Sequence, residues 1–219
     1  MEDQSKDYVR LGQCLDRCSD LDVQAGRLFH EGWNVSSPRH VITMGFCRSA
    51  LEHATSQRLL IGSGQTGTAI ALIRLHYETT IRAAWVVLAA KQKWITNFTA
   101  PVPVDDLEEP TMGPSTPAML KAIEHVAPDI AHEGNRLYAT VDGMHSFVHG
   151  GVHLVVHGLR GYPPGKLVEV LWNRNLLVLM LCNVIVVASG KTELHGTVSK
   201  FSQAYADVMP PPASATTGG

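Results

Sequence analysis

The chain has 219 residues, 17% of them charged, with a formal net charge of −2. A length of this order allows one domain with a sizeable core. The near-neutral balance excludes a protein that coats nucleic acid with a broad basic face, although a local basic pocket stays open. The four cysteines are scattered at 14, 18, 47 and 182, which excludes a dense disulfide framework; Cys14 and Cys18, four apart, read as core thiols. The longest apolar stretch, 176–188, is interrupted by Asn183 and is too short to cross a bilayer, and the opening MEDQSKDYVR carries no apolar leader. A cytoplasmic protein with no membrane partner is expected.

Apolar residues at helical spacing predict a first helix over 4–29, with Tyr8, Leu11, Leu15, Cys18, Leu21, Ala25 and Leu28 on one continuous apolar stripe and Gly32 ending it. Ser37-Pro38, a capping side chain followed by proline at the first helical position, opens a second helix to about 60. Gly62-Ser63-Gly64 is the turn into the stretch that organises the chain, TGTAIALIRLHYETTIRAAWVVLAA over 66–90. That stretch is apolar nearly all round and is therefore expected to be buried. It carries Arg74, Glu78 and Arg82 at steps of four, so Glu78 can reach either arginine. These charges form an internal ion-pair ladder, a solvent-facing stripe, or the lining of a polar pocket.

A short segment around 94–98 follows. Residues 100–117, rich in proline and acid, are expected to form a surface loop. A short helix over 117–126 and a weak turn over 129–134 lead into a predicted helix over 135–157. A further buried helix over 165–189 follows Pro163-Pro164, and a last one covers 191–208. The expected architecture is a single-domain all-α bundle of six to seven helices over 1–208, with a disordered tail over 209–219.

His145, His149, His153 and His157 recur every four residues in the predicted 135–157 helix. Each such step advances about 6 Å and turns about 40°, so neighbouring pairs can share a ligand but all four cannot. The intervening residues lack the glutamate of a zinc-protease motif. Three roles remain open for these histidines: helix-interface packing, metal-free catalysis or ligand binding, and metal binding. Gly150-Gly151 in a helix interior costs about 1 kcal/mol per glycine, which implies a close approach by another helix, a ligand or a dimer partner. Asn173, Arg174 and Asn175 interrupt the apolar 165–189 helix. Together with Arg74, Glu78, His149 and His153 they are the polar groups expected to meet inside the bundle or at its mouth, because buried polar groups demand partners.

The combination IRLHYETTIRAAWVVLAA, HSFVHGGVH, GYP and WNRNLL resembles a family of bacterial proteins classed as a domain of unknown function, over about 38–190. That family is distantly similar to the HEPN superfamily, whose all-α bundles include dimeric toxin and defence ribonucleases. In those enzymes an arginine and a histidine four to six residues apart cleave RNA without metal. The present chain departs from that motif: the nearest arginine upstream of His149 is Arg136. The resemblance implies a HEPN-like homodimer acting on RNA or nucleotide without cofactor or metal. In it His149 is the acid–base group, Arg74 the phosphate ligand and Glu78 the group orienting Arg74. His153, Ser146, Asn173 and Arg174 are the candidate ligand-binding residues, and a companion protein is a further expected partner. The rival readings are a non-catalytic dimeric regulator, with Gly150-Gly151 at its interface, and a metal protein built on His149, His153 and Glu78.

Overall fold

The computed structural model describes residues 2–100 and 113–211. Among them the fold is all-α, with no strand. Ten α-helices and two 3-10 turns occur among the described residues, against the six to seven helices expected. The expected surface loop lies mostly, and the expected disordered tail largely, outside the described residues.

Helix α1 (Glu2–Glu31) buries Cys14, Cys18, Leu21, Ala25 and Leu28, a row dictated by the three- and four-residue spacing of a helical face. At its end Gly32 lies against Ile185, where a Cβ would come within 2.7 Å of Ile185 Cγ2. Asn34 donates to the carbonyls of Ala188 (2.9 Å) and Ser189 (3.3 Å), satisfying the open end of another helix. Helix α2 (Pro38–Gly62) starts as its sequence predicts, with Ser37 Oγ accepting from the His40 amide and proline at the first position. Gly64, at φ +79°, takes the left-handed conformation of the turn into α3 (Thr66–Leu88). The α2–α3 hairpin is the most extensively packed pair in the bundle. Arg39 of α2 closes the far end of α3, donating to Val86 O and to Ala90 O (2.7 Å). That places a cation where the last carbonyls of α3 lack helical partners.

In helix α4 (Gln92–Phe98) Trp94 meets Trp85 edge-to-face and stacks on Phe98. Helices α5 (Thr116–Glu124) and α6 (Pro128–Asp142) lie against α3 and each other. Gly134 lets α6 approach, since a Cβ there would meet Leu120 at 2.5 Å and Ile81 at 3.1 Å. Tyr77 uses the proximity to donate to Gly134 O at 2.9 Å.

The helix predicted over 135–157 is broken. Helix α6 stops at Asp142, α7 (His145–Val148) is a single turn, and α8 (Val152–Arg160) starts afresh after Gly150 and Gly151. Gly150 sits at φ +68°, and a Cβ on Gly151 would fall 2.4 Å from Ser146 Oγ. The glycine pair makes a turn rather than a close-packed helix interior.

Helix α9 (Pro164–Ser189) runs through the centre, packed against α1, α2 and α3. By length and composition it could cross a membrane, but 72% of its most apolar window is buried inside the bundle. The last predicted helix resolves into a 3-10 turn (Thr192–Leu194), α10 (His195–Ala204) and a second 3-10 turn (Ala206–Val208). Arg17 of α1 ties that end down by donating to Asp207 (3.0 and 3.1 Å) and lying over the Tyr205 ring.

Candidate functional site

The charged row of α3 is only partly an ion-pair ladder. Arg74 Nε donates to Glu78 Oε1 at 2.9 Å, and the two side chains are 31% and 35% exposed. A pair open to water to this degree contributes about 0.5 kcal/mol or less to stability. Arg82, one turn on, is more enclosed. Burial pushes its guanidinium down from the usual arginine range, opposed by Glu78, its Nε is buried without a partner, and it lies 5.9 Å from the Phe46 ring.

Helix α7 packs on α3, and its Phe147 is buried. The rings of His153 and His157, from α8, lie near-parallel to Phe147 at 6.4 and 6.0 Å, and His157 also meets Tyr162 at 4.4 Å. Ser146 Oγ accepts from the His153 amide at 3.2 Å, which secures the first turn of α8. His149 is exposed in the turn between α7 and α8. The four histidines therefore do not form one ladder: His153 and His157 share a helix face, His149 sits on the turn, and the side chain of His145 lies outside the described residues. Among the described residues no three of His, Cys, Asp or Glu come together as a metal-ligand set.

Arg174 has no exposed surface, and all its hydrogen bonds go to α1, α2 and α9. It donates to Asp22 Oδ1, to Ala54 O (3.2 Å) and to Asn175 Oδ1 (2.8 Å). The second oxygen of Asp22 accepts from Arg58 Nε at 2.8 Å. Asn175 reaches on to Val208 O at 3.0 Å, while its neighbour Asn173 is only half-buried. Arg174 thus joins the core of the bundle. Helices α7 and α8 both contact α3 and form one corner of the bundle with it; Arg74 and Glu78 lie on α3, and Ser146, His149 and His153 on α7, α8 and the turn between them.

The segment 47–211 matches the model of a family of unknown function, DUF6988. The chain belongs to this family. No curated protein and no solved structure matches. The DUF6988 segment contains every candidate residue named from the sequence. The carboxylate that neutralises Arg174 comes instead from α1, before that segment begins.

Asp22 was not singled out by the sequence, although a signal was present. Cys14, Cys18, Asp22 and Gly26 stand at steps of four on α1, and the two cysteines in that row point inward. The same row brings Cys18 beside the arginine. Its thiol is pulled down from the ordinary range by its hydrogen bond to Cys14, with Arg174 and Asn175 adding to the effect. Cys14, on the other side of that bond, is pushed up and keeps its proton.

His76 was also missed, because it reads as part of an apolar helix. It is fully buried where α3 meets α2 and α9, and neither ring nitrogen has a partner. Burial, with Arg174 and His53 nearby, holds it neutral, well below the usual histidine value. Gln57 donates to Leu72 O at 3.3 Å but leaves Oε1 unpaired. The bundle therefore has an exposed polar corner at α3–α7–α8 and a buried charged centre at α1–α2–α9.

Proposed function

We propose that this protein works as a homodimer joined through α8, with a metal-free polar site beside that interface that takes a phosphate-bearing ligand, RNA or nucleotide. The observation that carries the reading is α8 itself. None of its residues is buried, and it presents Val152 (68% exposed), Val155 and Leu159 (84% exposed) to solvent. An apolar face of this kind on one short helix marks an interaction site. Its exposed side chains, apart from histidine and the terminal Arg160, carry no charge, so a second copy can meet it across a two-fold axis without like-charge repulsion.

The ligand site in this reading uses Arg74 to bind phosphate, Glu78 to hold Arg74 and His149 as the acid–base group, with His153 and Ser146 shaping the turn. What supports it is placement: α7 packs on the helix bearing the Arg74–Glu78 pair, and His149 lies exposed at the end of α7. A guanidinium supplies paired donors to phosphate, and histidine titrates near neutral pH. This is the HEPN-like mechanism with the arginine moved to a neighbouring helix, and a toxin or defence role with a companion protein would follow from it.

The test is RNA cleavage by purified protein with and without chelator, beside His149→Ala and Arg74→Ala, with the mass in solution measured on the same samples. Chelator-insensitive cleavage lost in both variants supports the catalytic reading. A dimer that neither cleaves nor binds RNA or nucleotide supports the regulatory alternative, to which the exposed face of α8 applies equally. A monomer at all concentrations sinks the interface.

A further inference from the structure

A groove of about 480 Å³ opens between α6, α9 and α10, and none of its lining residues belongs to the α3–α7–α8 corner. Helix α9 is closed in by α1, α2 and α3, and α10 covers part of its remaining side. Helix α6 is not among the helices that pack closely on it. A strip of α9 is left facing the gap. It runs through Leu176, Met180, Asn183 and Val187, at the three- and four-residue steps of one helical face. At about 1.5 Å per residue the strip is roughly 16 Å long.

The groove is apolar at its floor and polar at its rim. Leu179, Met180 and Val198 are almost closed off from solvent and form the floor, while Val187 is 39% exposed at one end. Ile130 lines the α6 side. The polar side chains Asp129, Asn183 and Ser202 are exposed, and Glu133 is half-buried. An apolar cleft of this size with a few polar groups at its edge is of the class that holds a small ligand.

The rim selects the charge of that ligand. The charged residues lining the groove are Asp129 and Glu133, with no arginine, lysine or histidine among them. Arg136 engages Glu133 at 2.8 Å from the adjoining cleft, which leads toward Met209. Asp129 makes no ion pair and no side-chain hydrogen bond among the described residues, so one carboxylate stands uncompensated. Asn183 donates to Leu179 O at 3.1 Å, which leaves its Oδ1 as an acceptor. Acceptors and one net negative charge at the edge of an apolar floor match an ammonium group carried on an apolar body.

We propose that the α6–α9–α10 groove binds a small apolar monocation, an alkyl- or arylalkylammonium, its apolar body on Leu179, Met180 and Val198 and its ammonium group at Asp129. The proposal does not rest on the α3–α7–α8 reading.

The experiment is an amide NMR titration of the full chain with 4-phenylbutylamine and with 4-phenylbutyrate, which keeps the ring and reverses the charge. The amine gives saturable shifts at Leu179, Met180, Asn183 and Ser202 with a Kd of about 1 mM or tighter, and the acid binds about tenfold more weakly or not at all. Asp129→Asn removes the charge, and Ser202→Trp, at an exposed position, fills the groove. Each weakens amine binding about tenfold, with the helical circular dichroism of the parent retained, and Arg74→Ala leaves binding unchanged. No saturable shift at the groove overturns the proposal, as does binding of the acid as tight as that of the amine, or amine binding retained in both groove variants. A mass in solution that falls in Ser202→Trp, with no amine bound by the parent, makes the groove an interface between copies of the chain and overturns it as well.

Discussion

The guanidinium of Arg174, closed off from solvent, donates to the carboxylate of Asp22 across 152 residues of chain. Asp22 holds Arg58 with its other oxygen, so one acid fixes α9 and α2 to α1. Removing one partner of a buried pair leaves an uncompensated charge in a low-dielectric interior. Asp22→Ala should therefore destabilise the fold by roughly 3–5 kcal/mol, read as a lower midpoint in urea. Arg174→Met, which fills similar volume and leaves Asp22 paired with Arg58, should cost clearly less. Equal losses in the two variants would show that packing, not charge, sets the cost.

His76 gives a pH dependence of definite sign. Burial, Arg174 and His53 lower its value in the folded chain well below 6.5, whereas the unfolded chain titrates near 6.5. Between these values the unfolded state binds the extra proton. The contribution of neutral His76 is thus fully present above about pH 6.5 and is lost as pH falls toward the folded value, at up to about 1.4 kcal/mol per pH unit. The facing groups on the packed helices are Arg174 of α9 and His53 of α2, and burial lowers His53 as well. Denaturant midpoints at pH 7.5 and pH 5.5 should differ in the parent, and His76→Leu should narrow the gap. An unchanged gap would assign the acid sensitivity elsewhere.

The turn at Gly150-Gly151 predicts two different penalties. Gly150 needs a left-handed backbone and has open space around it. Gly150→Ala should cost about 1–2 kcal/mol, and asparagine, which tolerates that conformation, should cost less than valine. Gly151 has an ordinary φ but no room, with Ser146 Cα and Cβ both 3.1 Å from a built Cβ. Gly151→Ala should cost about 1–3 kcal/mol by overpacking. Thermal melts of the four variants check the order. If Gly150→Asn is as damaging as Gly150→Val, the glycine serves contact rather than conformation.

These residues also mark how far the sequence could be read. The bounds of α3 and α9 followed from spacing, because a buried helix repeats its apolar pattern over many turns. The α7–α8 break did not. Histidines at steps of four continued the helical period through it, and only the local chemistry of Gly150 and the crowding at Ser146 decide against a continuous helix. The placement of Arg174 was equally hidden. A polar residue in an apolar helix must find a partner, but its partner Asp22 lies on the first helix, and spacing within one helix carries no information about such distant pairs.

Arg74 and Glu78 allow the polar corner to be separated from the fold. Their pair is about one-third exposed, so its loss should change stability by no more than about 0.5 kcal/mol. Arg74→Ala and Glu78→Ala should melt within a few degrees of the parent. If the corner binds phosphate, Arg74→Ala should lower RNA or nucleotide affinity about tenfold or more, because a charge-assisted hydrogen bond contributes roughly 1.5–3 kcal/mol. Glu78→Ala should lower it less, since Glu78 acts by holding Arg74, and Glu78→Gln should recover part of the loss by keeping an acceptor at Oε1. Affinity unchanged in Arg74→Ala, with stability also unchanged, would remove the α3 row from any binding role and leave α8 as the functional feature of this corner.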